Sequence, residues 1–179
     1  LGLLVVTALA IRAAAWTDGL DTLIAVSIVA VGLGFVLART QYSELFALIV
    51  SALYSAIIIG GISAVMLVED GGLRSRAFTL AERLTAWFEG AVAGEQPPHD
   101  ELAFVVFLGV LFWFLGHNAA WHIFRVDQYG PHVGRVIAPT GLVLLTNQFY
   151  YRGDKSLDIY LVAFVLLSLL LLIHSHIEQ

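Results

Sequence analysis

The residues best suited to chemistry in this sequence are two histidines that lie within one apolar segment. His117 and His122 interrupt a run from Leu102 to Phe124 in which Asn118 is the only other strongly polar side chain. An imidazole in an apolar segment is costly to bury and usually has a partner, which makes it a candidate functional group. Such an imidazole could be the axial ligand of a haem iron or a chlorophyll magnesium, if it faced a cavity large enough for the macrocycle.

The helical period separates these two histidines. Trp113, His117 and Trp121 share one face of a helix, whereas His122 is turned well away from it. In the alternative interpretation, His117 hydrogen-bonds a neighbouring helix and His122 lies at the level of the lipid headgroups, and the lack of a second ligand motif favours this alternative. We therefore keep His117 and His122 as candidate cofactor-binding residues, and we predict no catalytic residue, no metal site and no specific cofactor.

Other chemistry finds little support in the sequence. The chain has no cysteine, which excludes thiolate sites within it, and no nucleophile motif or phosphate-binding loop occurs. Nine lysines and arginines are spread singly at a net charge of −5, so no patch for nucleic acid is predicted. Acidic residues such as Glu44, Glu101 and Asp158 lie at segment ends, which leaves a transporter as the weakest interpretation. We predict that this chain is not an enzyme.

The segments that position these residues have the composition of membrane helices. The 179 residues are 59% hydrophobic and 13% charged, with a mean hydropathy of +0.87, whereas soluble domains carry about 25% charged residues. A helix over residues 102–124 rises about 34 Å, which is enough for a hydrocarbon core of about 30 Å. The sequence therefore predicts an all-α integral membrane protein with the lipid bilayer as its main partner.

Six segments share this character, and one further segment is amphipathic. We predict one helical membrane domain with spans over residues 1–16, 20–38, 45–68, 102–125, 136–150 and 157–174. Apolar side chains repeat at the helical period over residues 77–92, which predicts an amphipathic helix. This helix should lie on the membrane surface with Trp87 and Phe88 pointing inward, or pack on the protein as a lid. Its predicted capping box is Thr79 and Glu82, and its predicted stop is Pro97 and Pro98.

Small residues recur at every fourth position of the second and third spans. The stripes are Ala30, Gly34 and Ala38 on the second span, and Ala52, Ala56, Gly60 and Ala64 on the third. Because lipid offers helices no hydrophobic gain on pairing, association depends on such close packing. We expect the two striped helices to pack together, and Gly60→Leu to disrupt assembly of the bundle. In the fifth span, Pro139 frees a carbonyl that a neighbour or Thr140 must satisfy.

Two expectations concern the chain as a whole. It opens on Leu1 and stops at Gln179 directly after an apolar run, so we expect it to be part of a longer protein. Six crossings place both ends on one side of the membrane. The distribution of arginines and lysines between the two sets of links does not decide which side that is.

Three stretches together form a recognisable pattern, namely FLGVLFWFLGHNAAWHIFR, VIAPTGLVLLTNQFYY and LDIYLVAFVLLSLLLLIHSHIE. They resemble the N-terminal membrane domain of bacterial transglutaminase-like membrane proteins. The likeness lies in the end of the fourth span (Ala119, Ala120, Trp121, Arg125), in the fifth span and the residues after it (Pro139, Gly141, Asn147, Tyr150, Tyr151), and in an interfacial pair (Leu84, Trp87). His117 and Asn118 lie where the family is expected to be more apolar.

The resemblance implies a multi-pass protein of the bacterial cytoplasmic (inner) membrane. After Gln179 it implies a basic linker, another span and an outer domain with a Cys-His-Asp triad, with both ends of the present segment cytoplasmic. The present residues would then be a non-catalytic anchoring domain. The alternative is an accessory or scaffolding subunit of a large photosynthetic or respiratory complex, whose small-residue stripes contact protein partners within the membrane, lipid or pigment.

Overall fold

The computed structural model describes residues 1–66, 68, 71–94, 100–125 and 132–177, and this part of the chain contains helices and no strand. The predicted all-α class is therefore confirmed for these residues. The seven helices are α1 (Gly2–Ala14), α2 (Thr22–Ala38), α3 (Glu44–Met66), α4 (Leu73–Ala93), α5 (Glu101–Phe124), α6 (Gly134–Tyr150) and α7 (Asp158–Ile177). All but α4 fall on the predicted spans.

Three of these helices are long and apolar enough to cross a membrane, namely α3, α5 and α7. The helices α1 and α2 are apolar but shorter. Within the 18-residue window that defines each candidate, 61% of α5 is buried, against 17% of α3 and 11% of α7. The helix α5 is thus the centre of the bundle, whereas α3 and α7 present most of their apolar side chains outward.

The helix α2 crosses α5 at close range, and this is the most extensive helix pair among the described residues. Neither Gly34 nor Gly116 has room for a side chain at this crossing. A Cβ on Gly34 would lie 2.8 Å from the Cβ of Ala120, and one on Gly116 would lie 2.7 Å from the Cβ of Ala30. Two helices approach this closely only where small residues face each other.

The two striped helices, α2 and α3, contact each other as expected, but the most extensive partner of α2 is α5. The stripe of α2 packs on α5, which offers Gly116 and Ala120, rather than on the stripe of α3. On α3, Ala52 and Ala56 are exposed and a Cβ added at Gly60 would meet nothing within 4 Å. The expectation that Gly60→Leu disrupts the bundle loses its basis, because the described part of the chain leaves open space there.

The amphipathic helix α4 begins earlier than predicted. Gly72, in an extended conformation, precedes its first residue Leu73, so Thr79 and Glu82 lie inside the helix and do not cap it. The helix ends where Gly94 takes a positive φ of 73°, a common helix stop. The predicted stop at Pro97 and Pro98 lies outside the described residues.

The helix α4 contacts the bundle through a few side chains. Leu80 is buried, and the ring of Trp87 lies 4.7 Å from that of Phe107 on α5. Phe88 is 63% exposed, so of the two aromatic residues predicted to point inward only Trp87 packs on α5. Both the surface helix and the lid stay open interpretations, since the exposed Phe88 is free to meet lipid.

Polar contacts fix the ends of neighbouring helices. The Nη1 atom of Arg125, after α5, donates to the backbone oxygens of Thr40 (3.3 Å) and Tyr42 (2.8 Å) in the link between α2 and α3. Its guanidinium also lies 4.5 Å from the ring centre of the buried Trp121. Nearer the middle, Trp113 donates its indole N–H to Ser51 of α3 at 3.0 Å. These contacts tie α5 to α3 and to the link between α2 and α3.

The proline of α6 is accommodated by Asn118. Pro139 lies inside α6 and has no N–H to donate to the carbonyl of Arg135 four residues earlier. The Asn118 Nδ2 atom of α5 donates to that carbonyl at 2.8 Å, whereas Thr140 donates to the carbonyl of Val136. The predicted alternatives are thus resolved in favour of a neighbour, and this gives Asn118 a structural role.

We predict that the cost of removing Asn118 depends on Pro139. Asn118→Leu should lower the free energy of unfolding by about 1 kcal/mol, because the carbonyl of Arg135 loses its donor. In a Pro139→Ala background the new N–H can serve that carbonyl, so the same change should cost clearly less. The measurement is a double-mutant cycle from denaturant unfolding in detergent. Equal costs in the two backgrounds would show that Asn118 does not act through this carbonyl.

Candidate functional site

His117 lies in the tight crossing of α2 and α5. Its side chain is buried, with 4% of the residue exposed, and a Cβ on Gly34 would come within 3.1 Å of its Cα. Its ring stacks on that of Trp121, with centres 6.0 Å apart and planes at 24°. Its Nδ1 atom is buried and has no hydrogen-bond partner among the described residues. The predicted shared face of His117 and Trp121 is therefore present.

His122 lies on a different face, as the helical period predicts. It is 9% exposed, and its ring centre lies 6.0 Å from that of His132, which precedes α6. The backbone N–H of His132 donates to the carbonyl of His122 at 3.1 Å, so the chain entering α6 is joined to the end of α5. The sequence assigned nothing to His132, and the structure brings it beside a predicted site residue.

The two candidate histidines do not form one site with other ligating groups. In the part of the chain that the structure describes, no three side chains of the metal-binding types His, Cys, Asp and Glu come together. The close packing of α2 against the backbone of His117 fills the space on that side of α5. Binding of a macrocycle by His117 or His122 stays a prediction.

A more distinct site lies between α1, α5 and α6. These helices enclose an apolar groove of about 520 Å³, within the range of about 300–1,000 Å³ that small-molecule sites occupy. Its wall includes Ile11, Leu108, Leu111, Leu142, Val143 and Asn147. We call it the α1–α5–α6 groove.

One end of the groove is polar. Trp16 and Phe104 line both the groove and an adjoining cavity whose other walls are Thr17, Asp100 and Glu101. The hydroxyl of Thr17 donates to a carboxylate oxygen of Glu101 at 2.8 Å. A polar mouth with two carboxylates thus adjoins the apolar groove at the side chains of Trp16 and Phe104.

Arg83 of α4 partly neutralises this mouth. Its Nε atom donates to a carboxylate oxygen of Asp100 at 2.8 Å, and Asp100 in turn accepts the backbone N–H of Leu102 as the cap of α5. The hydrogen bond from Arg83 lowers the pKa of the Asp100 carboxyl below its ordinary value. Asp100 is therefore a fixed anion held by a cation, whereas Glu101 accepts a neutral hydroxyl.

Asn147 is the buried polar side chain of the groove wall. Its Oδ1 atom accepts the indole N–H of Trp16 at 2.7 Å, which joins the end of α1 to the last turn of α6. The residue is 7% exposed, and its Nδ2 atom is buried without an acceptor among the described residues. A buried donor without an acceptor is unfavourable in apolar surroundings, so this amide is a place where a bound polar atom would be stabilised.

Comparison with known proteins identified no relative of this chain. No protein-family model, no curated protein and no solved structure matches the chain.

The groove was not predicted, although the sequence carries an indication of it. Trp16 and Asn147 lie near the ends of the first and fifth predicted spans, which places them at the membrane interface. With alternating crossings, the first and fifth spans both end on the side where the fourth begins, so Trp16, Asn147 and Glu101 belong to one level. What the sequence does not contain is the gap between the three helices.

Proposed function

We propose that this chain is a six-span, non-catalytic domain of the bacterial cytoplasmic membrane that anchors a transglutaminase-like domain outside the membrane. The observation that carries the membrane part of the proposal is the outward apolar surface of α3 and α7. Ile57 is 72% exposed and Ile159 is 71% exposed, on helices long enough to cross a bilayer. Such a surface is unfavourable in water and favourable in lipid.

The anchoring part is supported by the way in which α5 uses its polar side chains. Trp113 binds Ser51, Asn118 serves the carbonyl of Arg135, and Arg125 binds the link between α2 and α3. Each of these contacts fastens one helix to another. Of the residues that carry the resemblance, Arg125 binds this link and Ala120 faces Gly34 of α2, so both take part in packing, which is the role an anchor requires.

Cysteine labelling tests the number of crossings, because the chain has no cysteine of its own. The variants are Asp18→Cys, Gln41→Cys and Asp154→Cys, each in an exposed link, with Glu89→Cys on the exposed face of α4 as a reference. They are labelled in intact cells with a membrane-impermeant maleimide. Six crossings place residues 18, 89 and 154 on one side and residue 41 on the other.

The competing topology has three crossings, by α3, α5 and α7 alone. It places residues 18 and 41 on the same side, and residue 89 opposite them. Labelling of residue 41 together with residue 18 would therefore contradict six crossings. For the anchored domain, the test is the coding sequence after Gln179: a Cys-His-Asp domain supports the proposal, and an unrelated continuation or a stop overturns it.

A second candidate function, an accessory subunit of a larger membrane complex, is favoured by the part of the α3 stripe from Ala52 to Gly60, whereas Ala64 at its end is buried in the bundle. Ala52 and Ala56 are exposed, and no described atom occupies the space beside Gly60. Small residues on a lipid-facing helix allow another helix to pack closely. Blue-native electrophoresis of the protein in mild detergent should then show an assembly that Gly60→Leu disperses. A monomer for both forms would contradict this function.

A further inference from the structure

The α1–α5–α6 groove is apolar inside and carries charged groups at its mouth, which matches the apolar tail and polar head of an amphiphile. Its interior is apolar, its buried amide donor is Asn147, and its mouth has the carboxylates of Asp100 and Glu101. Leu142 and Tyr150 on its wall are 66% and 62% exposed, so the groove opens sideways to the surroundings of the bundle. In a membrane those surroundings are lipid, and an occupant can enter without passing through water.

We propose that the α1–α5–α6 groove binds one phospholipid with an amine headgroup, whose acyl chain lies among the apolar side chains and whose ester carbonyl accepts a hydrogen bond from Asn147. The ammonium of the headgroup lies at the mouth, beside Glu101. This site goes beyond anchoring, and it depends only on the surroundings being lipid.

The ester carbonyl is assigned from the level of Asn147. This residue lies one helical turn before the last residue of α6, Tyr150, and beside Trp16 after α1. Aromatic residues of this type mark the headgroup level of a bilayer, so a donor one turn deeper meets the ester groups. Because Oδ1 is taken by Trp16, the Nδ2 atom is the donor of this amide that has no partner among the described residues, and the buried amide must turn towards the groove for it to meet the lipid.

The amine headgroup is assigned from the charges at the mouth. Asp100 is paired with Arg83, whereas Glu101 accepts only the hydroxyl of Thr17 in the hydrogen bonds that the structure shows. The hydroxyl of Thr17 is neutral, so it does not cancel the charge of the Glu101 carboxylate at the mouth. An ammonium group is attracted to it, and a headgroup whose only charge is a phosphate is repelled.

Native mass spectrometry of the whole chain in mild detergent tests the proposal. The probes are phosphatidylethanolamine and phosphatidylglycerol with identical acyl chains, added in equal amounts. We expect one phosphatidylethanolamine per chain, retained about tenfold better than phosphatidylglycerol, and Glu101→Gln should remove this preference. Equal retention of the two lipids by the unaltered chain, or detergent alone in the groove, would overturn the proposal.

Two tryptophan substitutions on α6 locate the lipid. Leu142→Trp places an indole in the groove and should lower retention about tenfold. Leu145→Trp, three residues away, exposed and outside the groove, should leave retention unchanged. Asn147→Leu should also weaken retention of phosphatidylethanolamine. The circular dichroism of this variant shows whether it keeps its helices.

Equal retention by the two tryptophan variants would exclude the groove as the site. The lipid site requires α1 and α6 to lie in the membrane, but it does not depend on any domain after Gln179. The lipid site and the proposed anchoring function can therefore fail separately.

Discussion

Gly116→Val should lower the free energy of unfolding by about 2–3 kcal/mol, which corresponds to a fall in the thermal midpoint of roughly 5–10 °C. A Cβ at this position would lie 2.7 Å from the Cβ of Ala30 and 3.3 Å from the backbone nitrogen of Val31. Neither atom belongs to a flexible side chain, so α2 must move away from α5. The measurement is thermal unfolding of the purified protein in detergent, followed by circular dichroism.

Gly60→Val is the matched control for this prediction. It makes the same change in another apolar helix, at a position where an added Cβ meets nothing within 4 Å among the described residues. Its midpoint should therefore stay within about 2 °C of that of the unaltered protein. If the two variants were equally destabilised, the effect would come from replacing a glycine in any helix, and the close crossing of α2 and α5 would not be its cause.

The contrast between these two glycines shows what the sequence can and cannot predict. Gly60 belongs to a stripe that its spacing identifies as a surface suited to close packing, whereas Gly116 was not singled out from the sequence. The choice of partner is a property of the whole bundle, because α5 offers a stripe of its own, Gly116 and Ala120, in the middle of aromatic neighbours. The helix α3 follows α2 directly in the chain, which makes it the expected partner of α2. The small residues of α5 fit the stripe of α2 more closely.

Helix positions were predicted well for a physical reason. Long apolar runs bounded by polar links leave few alternatives, since a backbone in lipid must satisfy its own hydrogen bonds. The start of α4 was harder, because a capping box at Thr79 and Glu82 looks the same whether or not the helix already extends before it. The same limit holds for the groove, since the space between helices depends on how three of them pack together.

The roles of single polar residues were predicted less well than the helix positions and better than the groove. The need for a donor beside Pro139 follows from the missing N–H, and the sequence predicts it correctly. The identity of the donor, Asn118, requires knowing which face of α5 meets the start of α6. For His117 the sequence predicts a buried imidazole, and the structure agrees on burial while leaving its Nδ1 atom without a partner among the described residues.

Arg125→Ala should also destabilise the bundle by about 2–3 kcal/mol. The change removes two hydrogen bonds from a charged donor to the backbone oxygens of Thr40 and Tyr42, and the contact of the guanidinium with the ring of Trp121. Amide hydrogen exchange should become faster in the link over residues 39–43, because this link loses its attachment to α5. Mass spectrometry of that peptide, together with the thermal midpoint, measures both effects.

Two further variants separate these contacts from charge alone. Arg125→Lys keeps the positive charge but loses the planar group that lies over Trp121, so it should recover only part of the stability. Arg135→Ala removes the same charge from the exposed start of α6 and should change little. If Arg125→Lys restored the full midpoint, or if Arg135→Ala matched Arg125→Ala, the charge itself would hold α5 to the link. The bonding geometry at Thr40 and Tyr42 would then contribute nothing measurable.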